Sequence, residues 1–300
     1  MKSVLITGSS GFIAPHIIKK ALERKYKVFG IDIKNPEIKL KGCNYIKKDV
    51  RDFNIEEIGN LDYIIHLAFV TNIPFSISDP ISTTEDNILM TSALLKKATE
   101  AKIKKFIFSS TASLYGNNPI PWKENMSSDP IEPYSWQKLS CEYLCSMWFK
   151  RYNLKTSTLR LFQVYGENQR KDTALAAFIK SRKENKPITL TETTAQSSFK
   201  TGRRDFIYVG DVAEAFIANC ESNKTGEGEI INIGSGEMTS MQEIAEVIGG
   251  KVKFIPKRSF EVEAHQADLN QCKSYLNWSP KTKVLKWLKD FCKTEIENVK

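Results

Sequence analysis

Of the ten tyrosines in the chain, only Tyr134, in the stretch PYSWQK, has a lysine four residues on, Lys138. On a helix that offset brings the phenol and the ammonium onto one face. A phenol with a pKa of about 10 is a poor base near neutrality, and a positive charge held beside it lowers that value. Such a pair can move a proton. Aromatic and basic residues also share helix faces with no chemistry at all, so the rest of the sequence must supply the site.

A second constellation stands at the start of the chain. ITGSSGFIAPHI puts Gly8 and Gly11 directly after a short β-rich run, at the opening of a helix-like stretch. Glycines there permit a tight turn and let backbone N–H groups approach a pyrophosphate, which the helix N-terminus also favours. Ala14 stands where a third small residue allows close helix–sheet packing. Asp32 ends the next strand-like run, 21 residues after Gly11. A carboxylate there suits adenosine ribose hydroxyls and repels a 2′-phosphate, which favours NAD; Lys34 nearby leaves NADP open. Pro15 fits only a first helical turn, so this helix starts late or bends.

The elements that must carry these residues alternate. KSVLIT, KVFGID, NYIKKDV, DYIIHLA, KKFIFSS and TSTLRLF read as strands. Helical stretches are expected over 11–24, 83–101 and 135–152. Short apolar strands between helices imply a parallel sheet covered on both faces, a doubly wound α/β (Rossmann) fold. Beyond residue 163 the alternation loosens: a helix over 173–184, a polar loop in TETTAQSSFKTGRR, then DFIYVGDVAEAFIANC and GEIINIGS returning to the sheet. The expected division is a dinucleotide domain over 1–162, rejoined at about 204–234, and a smaller C-terminal substrate-binding cap over 163–300.

Composition narrows the class. A 300-residue chain with 41% hydrophobic and 26% charged residues is an ordinary globular protein. It has no apolar run of the roughly 20 residues a membrane span needs, and MKSVLITG is not a signal peptide. The six cysteines form no CxxC and the three histidines lie far apart, so no metal or disulfide framework is expected and the thiols read as reduced and cytoplasmic. The net charge of +9 is spread along amphipathic helices as solvated faces, and no nucleic-acid partner is expected.

In order along the chain, TGSSGFIA, KKDVRD, HLAF, EDNI, SSTASLYG, YSWQK, RRDFIYVGDVAEA and NIGSG together resemble the extended short-chain dehydrogenase/reductases, specifically the sugar-nucleotide epimerase/dehydratase group. The resemblance implies catalytic roles for Thr111, Tyr134 and Lys138: the phenol as acid–base group, the lysine assisting it, the threonine holding the sugar hydroxyl. It implies cofactor contacts at Gly8, Ser10, Gly11, Phe12 and Ile13 in the first turn, and at Asp32, Asp49 and Val50 towards the adenosine. Further contacts are implied at Leu67, Ala68, Phe69, Thr71, Asn87, Ser109 and Phe162, besides Tyr134 and Lys138. Substrate contacts are implied at Thr111, Gln163, Arg204 and Arg258, the two arginines near a diphosphate.

Within that family, 4,6-dehydratases carry an acidic pair after the threonine, where this chain has Ala112 and Ser113. SSTASLYG resembles the epimerase version. The expectation is therefore an NAD-dependent epimerase acting at C4 of a UDP-hexose or a similar nucleotide sugar. The alternatives are a nucleotide-sugar dehydrogenase, keto-reductase or 4,6-dehydratase, and a non-catalytic dinucleotide sensor. Phe69, Gln163 and Glu167 depart from the family pattern near the cofactor and substrate. The family's four-helix subunit contact implies a homodimer through the helices over 83–101 and 135–152.

Overall fold

The computed structural model describes residues 1–194, 197–257 and 262–297, with the side chains of 296 and 297 excepted. Its centre is a seven-stranded sheet. The strands are β1 (Ser3–Thr7), β2 (Lys27–Asp32), β3 (Cys43–Lys47), β4 (Tyr63–His66), β5 (Lys105–Thr111), β6 (Thr156–Leu161) and β7 (Glu227–Ile233). They lie in the order β3-β2-β1-β4-β5-β6-β7, with every neighbouring pair parallel. Parallel strands must be covered on both sides, and β1, β4, β5 and β6 are buried along their whole length.

One face is closed by α1 (Ala14–Glu23) and the helix Val209–Glu221, whose apolar residues share a cluster with β1. The other is closed by α2 (Met90–Glu100) and α3 (Pro133–Tyr152). Strand order reverses between β1 and β4, so a crevice opens outside their carboxyl ends. A third apolar cluster belongs to the later chain: Tyr165, Leu175, Phe178, Ile188, Ile244 and Leu288 are among its members.

Several expectations are refined. The helix after the glycine turn begins at Ala14, with Pro15 in its first turn, as proline geometry requires. The helix expected from residue 83 starts at Pro80 and passes through a π-helical turn, Glu85–Leu89, before α2. DFIY does not rejoin the main sheet. Phe206–Tyr208 pairs only with Gln163–Tyr165, in a separate two-stranded ribbon. The polar stretch after residue 191 folds back on itself through a Glu192–Thr201 bridge, and Arg203–Arg204 pairs with Thr239–Ser240. One buried carboxylate joins the later segments: Asp205 accepts the backbone N–H groups of Ser235, Gly236 and Ala267.

Candidate active site

At the switch point a cleft of about 990 Å³ runs from the glycine turn to the start of α3. Gly8 has φ +69°, and a Cβ there would stand 2.8 Å from the Ala68 nitrogen, so the turn closes against the end of β4 only with glycine. No side chain caps the start of α1; Pro15 carries no N–H and that of His16 goes to the Ile13 carbonyl, which leaves the N–H groups of Ile13 and Ala14 to face a ligand in the cleft. Asp32 is held at the rim, with one carboxylate oxygen taking the Ser10 N–H at 3.0 Å and the other the Lys34 N–H at 2.9 Å. A bare cradle of N–H groups beside an oriented carboxylate fits a dinucleotide, with pyrophosphate over α1 and ribose at Asp32.

Ser10, Gly11, Phe12, Ile13, Asp49, Val50, Leu67, Ala68, Phe69, Thr71, Ser109, Phe162 and Gln163 line the same cleft. Asp49 is engaged by Arg51, whose Nε and Nη2 donate to it at 3.0 and 2.7 Å. The guanidinium holds that carboxyl below its usual range.

Tyr134 and Lys138 enter the cleft from the first turns of α3. Glu132 caps this helix through the N–H groups of Tyr134 and Ser135, which fixes where the phenol emerges. Thr111, at the end of β5, lies within hydrogen-bonding reach of that phenol, and its Oγ1 meets the Ser113 hydroxyl at 2.9 Å. Lys138 is 3% exposed and donates to the Ser109 carbonyl at 2.6 Å. Burial pulls the lysine down to about 7. The lowering of the tyrosine expected from Lys138 is not what dominates. Burial pushes the phenol up to about 12, and the Thr111 hydrogen bond pulls the other way.

A buried polar frame holds these groups. His66 Nδ1 lies 2.8 Å from Thr7 Oγ1, and Nε2 lies 3.1 Å from Thr91 Oγ1. Thr7 Oγ1 already accepts the Leu67 and Ala68 N–H groups, so it donates to Nδ1 and the proton of a neutral imidazole sits on Nε2. Asn87, expected on the cofactor, is fully buried and absent from the cleft wall. Its amide takes the Val70 N–H at 2.7 Å, donates to the Val70 carbonyl and reaches Gln137 Oε1. With those partners it braces the 67–71 loop against α3.

Of the two arginines expected at the substrate, one is absent from the cleft wall. Arg204 sits on its short strand with Nη1 donating to the Arg203 and Glu263 carbonyls, outside the cleft wall. Arg258 lies outside the described residues. Arg170 was not foreseen. It lines the cleft, donates to Thr71 Oγ1 at 2.6 Å and pairs with Asp172. In ENQRKD only the Arg-x-Asp spacing hinted at an ordered ion pair rather than a solvated loop. Among the described residues no group of three His, Cys, Asp or Glu side chains could hold a metal, and no helix is long and apolar enough to cross a membrane.

A doubly wound sheet with a glycine cradle at its switch point and a Thr–Tyr–Lys cluster beside it defines a dinucleotide-dependent enzyme of the short-chain dehydrogenase/reductase type. The chain belongs to the NAD dependent epimerase/dehydratase family, whose profile matches residues 4–234. A UDP-glucuronate 4-epimerase of Thermodesulfobacterium geofontis is 31% identical over 98% of this chain and 96% of its own. Among solved structures, the UDP-N-acetylglucosamine 4-epimerase of Methanobrevibacter ruminantium, in complex with UDP-N-acetylmuramic acid, superposes with a TM-score of 0.87 at 28% identity, covering 99% of each chain. The UDP-glucuronic acid 4-epimerase of Bacillus cereus, in complex with UDP-glucuronic acid and NAD, gives 0.86 at 28% identity over 97% of this chain and 99% of that one.

Proposed function

We propose that this chain is an NAD-dependent UDP-sugar 4-epimerase in which Tyr134 moves the proton and Thr111 and Lys138 set it in place. The observation that carries the reading is the entry of Tyr134 and Lys138 into a cleft continuous with the glycine turn, with Thr111 beside the phenol at the end of β5. The similarity to three 4-epimerases of UDP-sugars supports it.

NAD, which the turn at Gly8 and Gly11 and the carboxylate of Asp32 would hold, would supply a reversible hydride acceptor for C4 and a positive charge that favours ionisation of the Tyr134 phenol, which burial pushes up to about 12. Thr111 holds the C4 hydroxyl against the phenol. Tyr134 takes that proton as the C4–H bond breaks, leaving a 4-keto sugar, and gives it back when the hydride returns to the opposite face. Substrate and product are at the same oxidation level. Ala112 and Ser113 offer no carboxylate for loss of water at neighbouring carbons, which disfavours the dehydratase reading.

The substrate side is assigned to 163–300, with the chain passing back to the sheet through the helix Val209–Glu221 and β7 (Glu227–Ile233). A homodimer is assigned to the face formed by α3 and the helical stretch before α2, where Ile81, Leu89, Trp136, Tyr143 and Met147 are exposed; sedimentation of the purified protein tests it.

For the activity, UDP-sugars are incubated with enzyme and NAD and the anomeric signals followed by NMR. The expected result is interconversion of C4 epimers with no net growth in NADH absorbance. Tyr134→Phe should lower turnover by several powers of ten while NAD still binds. Stoichiometric NADH would replace this reading with a dehydrogenase.

A further inference from the structure

Phe69 occupies the loop after β4, where the family resemblance leads one to expect a small side chain. The Lys138 ammonium stands 3.6 Å from the centroid of its ring and 4.7 Å from that of Phe108. The same Phe69 ring meets Tyr134 edge to face, with centroids 6.0 Å apart and planes at 80°. An ammonium has three N–H donors, and among the described residues that of Lys138 donates to the Ser109 carbonyl. The negative faces of two aromatic rings complete its surroundings, and such a face attracts a cation most strongly where water is excluded.

We infer that Phe69 is a positioning residue for the acid–base pair: its ring face seats the Lys138 ammonium, and its near-perpendicular contact sets the plane of Tyr134. The consequence for turnover rests on the function proposed above; the consequence for the lysine does not.

The charged and titratable neighbours of Lys138 are few. On α3 they are Tyr134, Cys141, Glu142 and Cys145. On β4 His66 is kept neutral, its pKa pushed down to about 3. On β6 Arg160 is bound to Glu142. From β5 and the 67–71 loop come only Phe108, the Ser109 carbonyl and Phe69. Burial lowers the lysine and Glu142 raises it, so a ring that favours the charged form also acts upward.

The test is an NMR titration of the whole protein carrying 13C-labelled lysines, the Lys138 Cε signal being assigned by its loss in Lys138→Met. Phe69→Leu keeps the apolar cover and removes the ring face, so the Lys138 midpoint should fall by about one pH unit. Phe69→Tyr, which keeps the face, should restore it. A midpoint in Phe69→Leu equal to the parent's or above it overturns the inference. If that variant does not fold, Phe69→Met makes the same comparison. The pH–turnover profile is then recorded on the same proteins. A lysine midpoint that moves while the profile does not upholds the seat for Lys138 and removes Lys138 from the proposed acid–base chain.

Discussion

The Glu142 carboxylate and the Arg160 guanidinium meet 2.7 Å apart with 1% and 3% of their side chains exposed. Glu142 lies one helical turn beyond Lys138 on α3, and Arg160 is on β6. The Ser110 hydroxyl, next to Thr111, also donates to Glu142, and the guanidinium lies over the Tyr115 ring at 4.8 Å. Through Arg160 and Ser110, Glu142 ties the helix bearing Tyr134 to β6 and to β5, the strand that ends in Thr111.

Removing one partner strands the other without water. Arg160→Met should cost about 3–5 kcal/mol in urea denaturation. The double variant Arg160→Met/Glu142→Leu should recover much of that loss, since two apolar groups replace two charges. A double variant no more stable than Arg160→Met would show that shape, not charge, holds the two elements together.

Lys138 makes a stability prediction of unusual sign. Its folded pKa of about 7 lies below the ordinary 10.5, so between those values the unfolded chain binds more protons. Stability must rise with pH across that window, and below it the whole cost of burying the ammonium is present. Lys138→Met should therefore be more stable than the parent at pH 6, by at most about 5 kcal/mol, and inactive. Denaturation curves at pH 6 and pH 10 check both the gain and its shrinkage.

His66 acts in the acid range. Its folded pKa of about 3 against an ordinary 6.5 means that the unfolded chain takes up a proton first as pH falls. Stability from the neutral imidazole is complete above 6.5 and drains away towards 3. Replacing it by Gln should flatten the dependence of unfolding free energy on pH between 4 and 6, after an overall loss from the broken Thr7–His66–Thr91 chain. An unchanged slope would place the acid sensitivity elsewhere.

Much of this was readable from residue order alone. Strand–glycine–helix–acid fixed the cradle, because φ at Gly8 and the carboxylate of Asp32 are local properties. Pro15 announced the late start of α1 for the same reason. What sequence order missed depends on partners distant in the chain. The amide of Asn87 is taken up by Val70 and Gln137. The guanidinium of Arg204 is taken up in part by the Arg203 and Glu263 carbonyls. Arg170 reached the cleft through a fold of the later chain that no period encodes. Phe69 was visible as a departure, but its contact with Lys138 was not.

The cradle offers a direct check. Gly8→Ala must either leave the left-handed region or push against Ala68, 2.8 Å from the new methyl. NAD affinity, followed by quenching of intrinsic fluorescence, should fall by at least tenfold, with a loss of about 1–3 kcal/mol in stability. Retained affinity would mean that the turn is not the pyrophosphate seat.

The later chain has its own apolar cluster, and the Asp205 carboxylate gathers the loop after β7 and the backbone at Ala267 around one side chain. Under the proposed assignment of the substrate side to 163–300, sequence drift there can reshape the sugar-facing wall without disturbing the sheet behind the glycine turn. A lineage of such enzymes can change the sugar it takes while inheriting its redox machinery intact, provided that one acidic anchor stays.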